Sequence, residues 1–283
     1  MQRVFSTYRY SDEPLTSVLL AEIAQAGISQ VEIYCTPVHL NYRSASAIRT
    51  LAEWIGEHRL TVHSLHSPTE RDLLPGKRES GIPISISDPE RVRRLDAVDE
   101  VKRTLEIAEQ IPFRYLVQHI GNGREKHDPR KFDAAFNSLE HLAIFAKQRG
   151  VSIALENTPG ELGSPPNLRH FVTDTRLDLK FCFDVGHAHM EEGVEISFEP
   201  LREHVVMVHA HDNHGEKDEH LLPHSGKIDW DAAMGLLSGT GHDLPVVLEL
   251  RAQSSTAPSL ADATTAFEKL EQSLAAKRSA ANS

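Results

Sequence analysis

Short apolar runs alternate with longer amphipathic segments along the whole chain. The runs are rich in Val, Ile and Leu, as in strands covered on both faces, whereas the segments between them carry apolar residues at helical spacing. The predicted strands are 4–7, 30–34, 60–65, 113–118, 151–155, 179–183, 205–208 and 245–248. This order predicts an α/β fold with a parallel sheet and crossover helices, which eight units would close into a (β/α)8 TIM barrel.

Local signals mark the ends of several predicted helices. Gly27 follows the segment 15–26 in the position that favours glycine. Asp88 and Asp128 each precede a proline, which predicts an N-cap followed by proline at the first helical position. Ser259, followed three residues later by an acid, resembles a capping box for the last helix.

The longest irregular stretch is 69–87, which follows the third predicted strand. A long loop in a compact domain is more often a lid or a binding loop than a random insertion, and barrels place substrates at this end of their strands. Its Arg71, Lys77 and Arg78 suffice for one phosphate of a small substrate. A second basic run, 91–103, is interleaved with acids, so we expect it to be a solvated helix face.

Composition is that of an ordinary soluble globular protein, with 40% hydrophobic and 25% charged residues in 283. We expect one domain over 1–276 and a frayed tail over 277–283. No apolar run could span a bilayer and no signal-type segment opens the chain, so we expect a cytoplasmic protein without a membrane partner. Because the net charge of -11 repels polyanions, we do not expect nucleic acid as a partner.

The stretch 205–229 holds the densest group of candidate metal ligands. His209 and His211 share one side of a predicted strand because side chains alternate along it. Asp218 and His220 follow in the next loop. Imidazole and carboxylate suit a divalent ion such as Zn²⁺ or Mn²⁺, although a merely solvated loop rich in histidine is an equally good interpretation of this stretch alone.

Six candidate ligands fall at the carboxyl ends of six different predicted strands. They are His66, His119, Glu156, Asp184, His209 and Glu249. Taken singly, such a residue is more often a cap or a hydrogen-bonded core residue, but in a closed barrel these ends converge on one mouth. Gly186 should also permit the tight turn that brings His187 back toward Asp184.

These motifs together resemble the xylose isomerase-like TIM-barrel superfamily, which includes endonuclease IV and many sugar phosphate isomerases and epimerases. The matching segments are HSP at His66, HIG at His119, LENT around Glu156, FDVGH at 183–187, HAHD from His209, DEH at 218–220 and LEL around Glu249. The resemblance covers almost the whole chain. One departure is 223–227, which reads Pro-His-Ser-Gly-Lys where members of the group often have Pro-Gly-Glu-Gly.

Two ligand assignments follow from the resemblance. The endonuclease IV type implies three ions, held by His66, His119 and Glu156, by Glu156, Asp184, His209 and Glu249, and by His187, Asp218 and His220. The single-metal isomerases and epimerases imply one ion on Glu156, Asp184, His209 and Glu249, with histidines such as His66 and His187 gripping substrate oxygens. His211 matches no implied ligand, so we expect it to contact the substrate or to support a ligand.

The first functional hypothesis is a metal-dependent isomerase or epimerase of a small sugar, sugar phosphate or polyol-derived ketone. Glu156 and Glu249 would remove and return the proton next to the carbonyl, and Arg251 could hold a phosphate or carboxylate, although a rim salt bridge is equally plausible for it. The alternatives are a multi-zinc phosphodiesterase of endonuclease IV type and a dehydratase or lyase. The sequence leaves open the substrate, the metal, the number of ions and the oligomeric state.

Overall fold

The structure is a closed barrel of eight parallel strands. It is a computed structural model that describes residues 1–71, 81–121, 123, 125–240, 243–251 and 258–281, with side chains described as far as 277. The strands are β1 Gln2–Ser6, β2 Gln30–Tyr34, β3 Thr61–His66, β4 Tyr115–Gln118, β5 Ser152–Glu156, β6 Lys180–Asp184, β7 Val205–Ala210 and β8 Pro245–Leu248. Each pairs in parallel with the next, and β8 closes on β1. The predicted (β/α)8 TIM barrel is confirmed.

Helices occupy the connections between strands, and a long helix follows the last strand. They are α1 Ser17–Gln25, α2 Ala45–Glu57, α3 Arg91–Glu106, α4 Pro129–Lys147, α5 Pro165–Thr173, α6 Val185–Met190, α7 Val194–Phe198, α8 Trp230–Ser238 and α9 Leu260–Ala281. Gly27 ends α1 with φ 81°, a conformation that favours glycine. Asp128 caps α4, and Ser259 and Asp262 exchange the reciprocal hydrogen bonds of a capping box before α9.

One predicted helix start is wrong. The Asp88 carboxylate accepts the backbone N–H of Glu90 and so closes a turn before the helix, which begins at Arg91. Glu90 is the N-cap, and its side chain makes no capping bond. Helix α9 continues to Ala281, past residue 277, where the predicted tail begins.

Apolar side chains close the interior of the barrel beneath its mouth. The inner group is Val4, Tyr115, Val117, Ala154, Cys182, Met207 and Val247, all of them buried. A much larger apolar layer lies between strands and helices. Most of the buried charged and imidazole side chains of the described residues lie at the carboxyl end of the barrel, above this apolar group.

The loop after β3 contains a two-residue antiparallel pair, Glu70–Arg71 with Ile82–Pro83. The Arg71 guanidinium lies 3.9 Å from the Asp96 carboxylate on α3. Lys77 and Arg78, predicted to approach a substrate phosphate, lie outside the described residues. Among the helices of the described residues, none has the length and apolar character that a membrane crossing requires.

Candidate metal centre at the barrel mouth

All six strand-end residues occupy the predicted end of the barrel. His66, Glu156 and Asp184 are the last residues of β3, β5 and β6. His119 and Glu249 directly follow β4 and β8, and His209 is the penultimate residue of β7. Apart from His119, whose side chain is 20% exposed, they are buried. Closure of the barrel thus brings side chains from six strands to one place.

The central cluster is Glu156, Asp184, His209 and Glu249, whose ligand atoms lie within 4.8 Å of one another. The Nδ1 atom of His209 is 3.4 Å from Glu156 Oε2 and 3.5 Å from Glu249 Oε2. It is 3.8 Å from Asp184 Oδ2. Three carboxylates and one imidazole around a common point form a suitable ligand set for a divalent ion such as Mn²⁺ or Zn²⁺.

A second cluster shares Glu156 with the first. The Nε2 atoms of His66 and His119 lie 3.3 Å and 3.2 Å from Glu156 Oε2. Glu156 Oε2 therefore faces imidazole nitrogens from three strands, since His209 approaches the same oxygen. This geometry would allow Glu156 to bridge two ions.

The outer cluster is His187, His211, Asp218 and His220. Asp218 Oδ2 is 3.4 Å from His187 Nε2 and 2.9 Å from His220 Nε2. A backbone bridge between Asp212 and Leu221 folds the segment between them back over the mouth. That fold delivers Asp218 and His220 to the same region as the strand-borne ligands.

Three imidazoles at the mouth are anchored, each by a hydrogen bond from its Nδ1 atom to a backbone carbonyl. The Nδ1–H groups of His66, His187 and His220 donate to the backbone carbonyls of residues 67, 157 and 249, at 2.9, 2.9 and 2.8 Å. A carbonyl oxygen can only accept, so Nδ1 carries the proton and a neutral ring presents the Nε2 lone pair to its cluster. Anchoring of this kind is typical of metal-binding histidines.

Several facing atoms in the clusters have no hydrogen-bond partner. Among the described residues, these buried atoms include Glu156 Oε2, His209 Nδ1, His119 Nε2 and Asp218 Oδ1. In folded proteins the large majority of buried polar atoms have a hydrogen-bond partner. Lone pairs that face lone pairs need a cation between them, so the residues fit a divalent metal by this criterion.

The electrostatics of the mouth reflect crowded, buried charge. Burial acts to raise the pKa of Glu156, but the imidazoles of His119 and His209 outweigh it and hold that pKa well below its usual range. Burial raises the pKa of Glu249 to about 7. Burial acts to lower the pKa of His187, but the carboxylates of Asp184 and Asp218 raise it well above its usual value. Positive charge at the mouth is therefore strongly favoured, whether a proton or a metal ion supplies it.

His211 is placed differently from the anchored histidines. Its Nε2–H donates to Asp184 Oδ2 at 3.1 Å, while its Nδ1 is buried without a partner among the described residues. The ring is fully buried and stacks on His220 with centroids 3.9 Å apart. Of the two roles expected for His211, this placement suits support of a ligand, Asp184.

Gly186 makes room for His211. A Cβ atom at Gly186 would lie 2.0 Å from Cε1 and 2.4 Å from Nδ1 of the His211 ring. Helix α6 instead brings His187 back toward Asp184, because the Asp184 carboxylate accepts the backbone N–H of His187 in the first turn of that helix. The glycine is needed for a close approach, and the predicted role in a tight turn is not the reason for it.

The segment 223–227, where the chain departs from the family pattern, packs against Asp212. The Asp212 carboxylate accepts the backbone N–H of Ile228 and the indole N–H of Trp230. Gly226 packs against Asp212 so closely that a Cβ would lie 2.4 Å from its Oδ1. Hydrogen bonds to the buried Asp212 carboxylate thus order this loop.

Two further residues lie close to the central cluster and were not predicted from the sequence, Glu32 and Ser64. Glu32 on β2 is fully buried, and its Oε2 lies 3.2 Å from Nε2 of His209. The Ser64 hydroxyl donates to the same oxygen at 2.8 Å. A lone acid inside the apolar run of the second strand was the available signal.

Arg251 lies beyond the end of β8, so alternation along that strand does not determine its direction. Its backbone N–H donates to the carbonyl of His220. The predicted contact between its side chain and a substrate anion stays a prediction.

The sequence model of the family described as xylose isomerase-like TIM barrel matches residues 20–273. Two uncharacterized proteins of Methanocaldococcus jannaschii are similar. One is 29% identical over 86% of this chain and 82% of its own length. The other is 31% identical over 80% of this chain and 82% of its own length.

Solved structures with this fold cover almost the whole chain. A D-tagatose 3-epimerase-like protein has a TM-score of 0.79 and 25% identity over 99% of this chain and 100% of its own. An L-ribulose 3-epimerase has a TM-score of 0.78 and 18% identity over 99% and 96%. The IOLI protein, with a zinc atom bound, has a TM-score of 0.76 and 17% identity over 98% and 99%.

Proposed function

The chain belongs to the xylose isomerase-like TIM barrel family, and we propose that it is a divalent-metal-dependent isomerase or epimerase. Its substrate would be a small sugar, sugar phosphate or polyol-derived ketone. The observation that carries the proposal is the central cluster, in which Glu156, Asp184, His209 and Glu249 surround one point. The sugar epimerases among the structural neighbours support the same class.

The central cluster would hold Zn²⁺ or Mn²⁺. When bound, such an ion polarises a carbonyl group and stabilises the negative charge that develops on its oxygen. Glu156 and Glu249 are the proposed proton-transferring pair, because their carboxylates approach His209 Nδ1 to within 3.4 Å and 3.5 Å from β5 and β8. One would take the proton from the carbon next to the carbonyl, and the other would return it.

The anchored histidines would orient the substrate in this scheme. His66 and His187 are buried, and each ring is fixed by a hydrogen bond from Nδ1. Their Nε2 atoms are therefore held in place to accept a hydrogen bond from a hydroxyl group of the substrate. Beside His187 lies a cavity of about 180 Å³ whose lining includes Glu161, Glu191 and Glu192. Carboxylates there favour hydroxyl groups over a phosphate at that end of the substrate.

Solvent exchange tests the reaction. Metal-loaded protein would be incubated with pentuloses, hexuloses and their phosphates in heavy water. We expect deuterium on the carbon next to the carbonyl of the true substrate, and loss of this exchange in Glu249→Gln. Glu109→Gln is the matched control, since that exposed carboxylate pairs with Arg149 away from the mouth. Turnover without any solvent exchange would contradict the proposed proton transfer.

A second function is favoured by the two further clusters. His66, His119 and Glu156 on one side and His187, Asp218 and His220 on the other would complete a site for three ions. Such a site suits a phosphodiesterase of endonuclease IV type, in which several metals activate water and stabilise the leaving oxygen. Three tightly bound ions together with cleavage of a phosphodiester would establish this function in place of the first.

A further inference from the structure

Glu32 is a buried carboxylate directly behind the central cluster. It is fully buried on β2, and its Oε2 is 3.2 Å from Nε2 of His209. The opposite nitrogen of the same ring, Nδ1, faces the carboxylates of Glu156 and Glu249. The two nitrogens of His209 thus face different partners on opposite sides of the ring.

The protonation of His209 follows from this arrangement. An ionised carboxylate only accepts, so the contact requires the proton of the imidazole to lie on Nε2. Nδ1, which has no hydrogen-bond partner among the described residues, then presents its lone pair to the cluster. The Ser64 hydroxyl donates to Glu32 Oε2 at 2.8 Å and fixes the carboxylate in turn.

We propose that Glu32 is the positioning residue of the central metal site, which it serves by holding His209 in the tautomer and orientation that bind a divalent ion through Nδ1. A carboxylate behind a ligating imidazole also increases the basicity of the ring. The inference rests on the central metal site of the proposed function but not on its reaction. It goes further by assigning a role to Glu32 and Ser64.

A purely structural pair between Glu32 and His209 is the competing explanation. That pair would stabilise the fold and leave the intrinsic metal affinity of the remaining ligands unchanged. A positioning role predicts in addition a loss of metal affinity, because without Glu32 nothing holds the His209 ring with Nδ1 toward the cluster. Metal affinity therefore separates the two explanations.

The test measures Zn²⁺ and Mg²⁺ affinity by competition with a chromophoric chelator. His220→Ala serves as the background, since it removes an outer-cluster ligand. We expect Glu32→Ala to weaken Zn²⁺ binding by about 10- to 100-fold, the usual effect of losing such a carboxylate. The loss should be smaller for Mg²⁺, which relies less on imidazole. Nitrogen-15 NMR of the zinc-loaded wild type should show one histidine bound through Nδ1 and protonated on Nε2, and Glu32→Ala should lose that signature.

Two further variants keep the test decisive. Ser64→Ala retains the carboxylate and should weaken Zn²⁺ binding by less than Glu32→Ala. Glu100→Gln is the matched control, because Glu100 is another buried glutamate, paired with Arg43 and Arg103, whose loss should lower stability but not Zn²⁺ affinity.

Wild-type affinity in Glu32→Ala, or a loss equal to that of Glu100→Gln, would overturn the positioning role. Absence of Zn²⁺ binding by the wild type would instead overturn the central metal site on which both proposals rest.

Discussion

Replacement of Gly186 by alanine should displace His211 from Asp184. The new Cβ would lie 2.0 Å from Cε1 of the imidazole, far inside van der Waals contact, so the ring must move. Its hydrogen bond to Asp184 Oδ2, 3.1 Å long in the native protein, would then be lost. Because Asp184 is fully buried, water cannot readily replace the lost donor.

The size of the effect follows from two opposing contributions. A hydrogen bond to a charged group contributes about 1.5–3 kcal/mol. Glycine to alanine within a helix stabilises by up to about 1 kcal/mol. The difference between the two contributions is a decrease of about 0.5–3 kcal/mol in the free energy of unfolding of Gly186→Ala.

A double-mutant cycle with His211→Ala measures this by urea denaturation. In the His211→Ala background the clash is gone, so Gly186→Ala should be neutral or stabilising by up to about 1 kcal/mol. The coupling energy should then be about 1.5–3 kcal/mol. If Gly186→Ala costs the same free energy in both backgrounds, the glycine does not serve the approach of His211, and this explanation is refuted.

Further predictions concern stability against pH and the substrate class. Burial lowers the pKa of His39 to about 4. In the unfolded chain the same residue takes up a proton near pH 6.5. The free energy of unfolding should therefore fall by up to about 3 kcal/mol as the pH drops from about 6.5 to 4. His39→Gln should flatten the denaturation profile in that window, and an unchanged profile would contradict the assignment. Abasic duplex DNA should be cut poorly at about 150 mM salt, because the net charge of -11 opposes binding of a polyanion. Efficient incision there, lost in Glu156→Ala, would favour the phosphodiesterase.

The strand-end ligands could be predicted because two simple features determine them, the positions of the strands and the topology of the barrel. The apolar runs locate the strands, and a parallel barrel brings the carboxyl ends of all strands together. His66, Glu156 and Glu249 needed no knowledge of side-chain packing. The loop residues Asp218 and His220 were included because of their type and spacing, and the Asp212–Leu221 bridge provides the geometry that the sequence did not show.

Glu32 could not be assigned in the same way. In a strand covered on both faces, alternation does not say whether an acid faces the barrel or the helices, and the pairing of β2 with β3 shifts register between Val31 and Glu32. The role of Gly186 was equally hidden, since His211 is distant in sequence and meets it only in the folded chain. Interactions between distant segments account for both omissions.

Elemental analysis of protein purified without added metal shows whether the barrel mouth holds an ion. We expect at least one tightly bound transition-metal ion per wild-type chain. In the double variant Glu156→Ala and Asp184→Ala, which removes two ligands of the central cluster, that ion should be absent although the barrel remains folded. Full metal occupancy in the double variant would contradict the assignment of the central site.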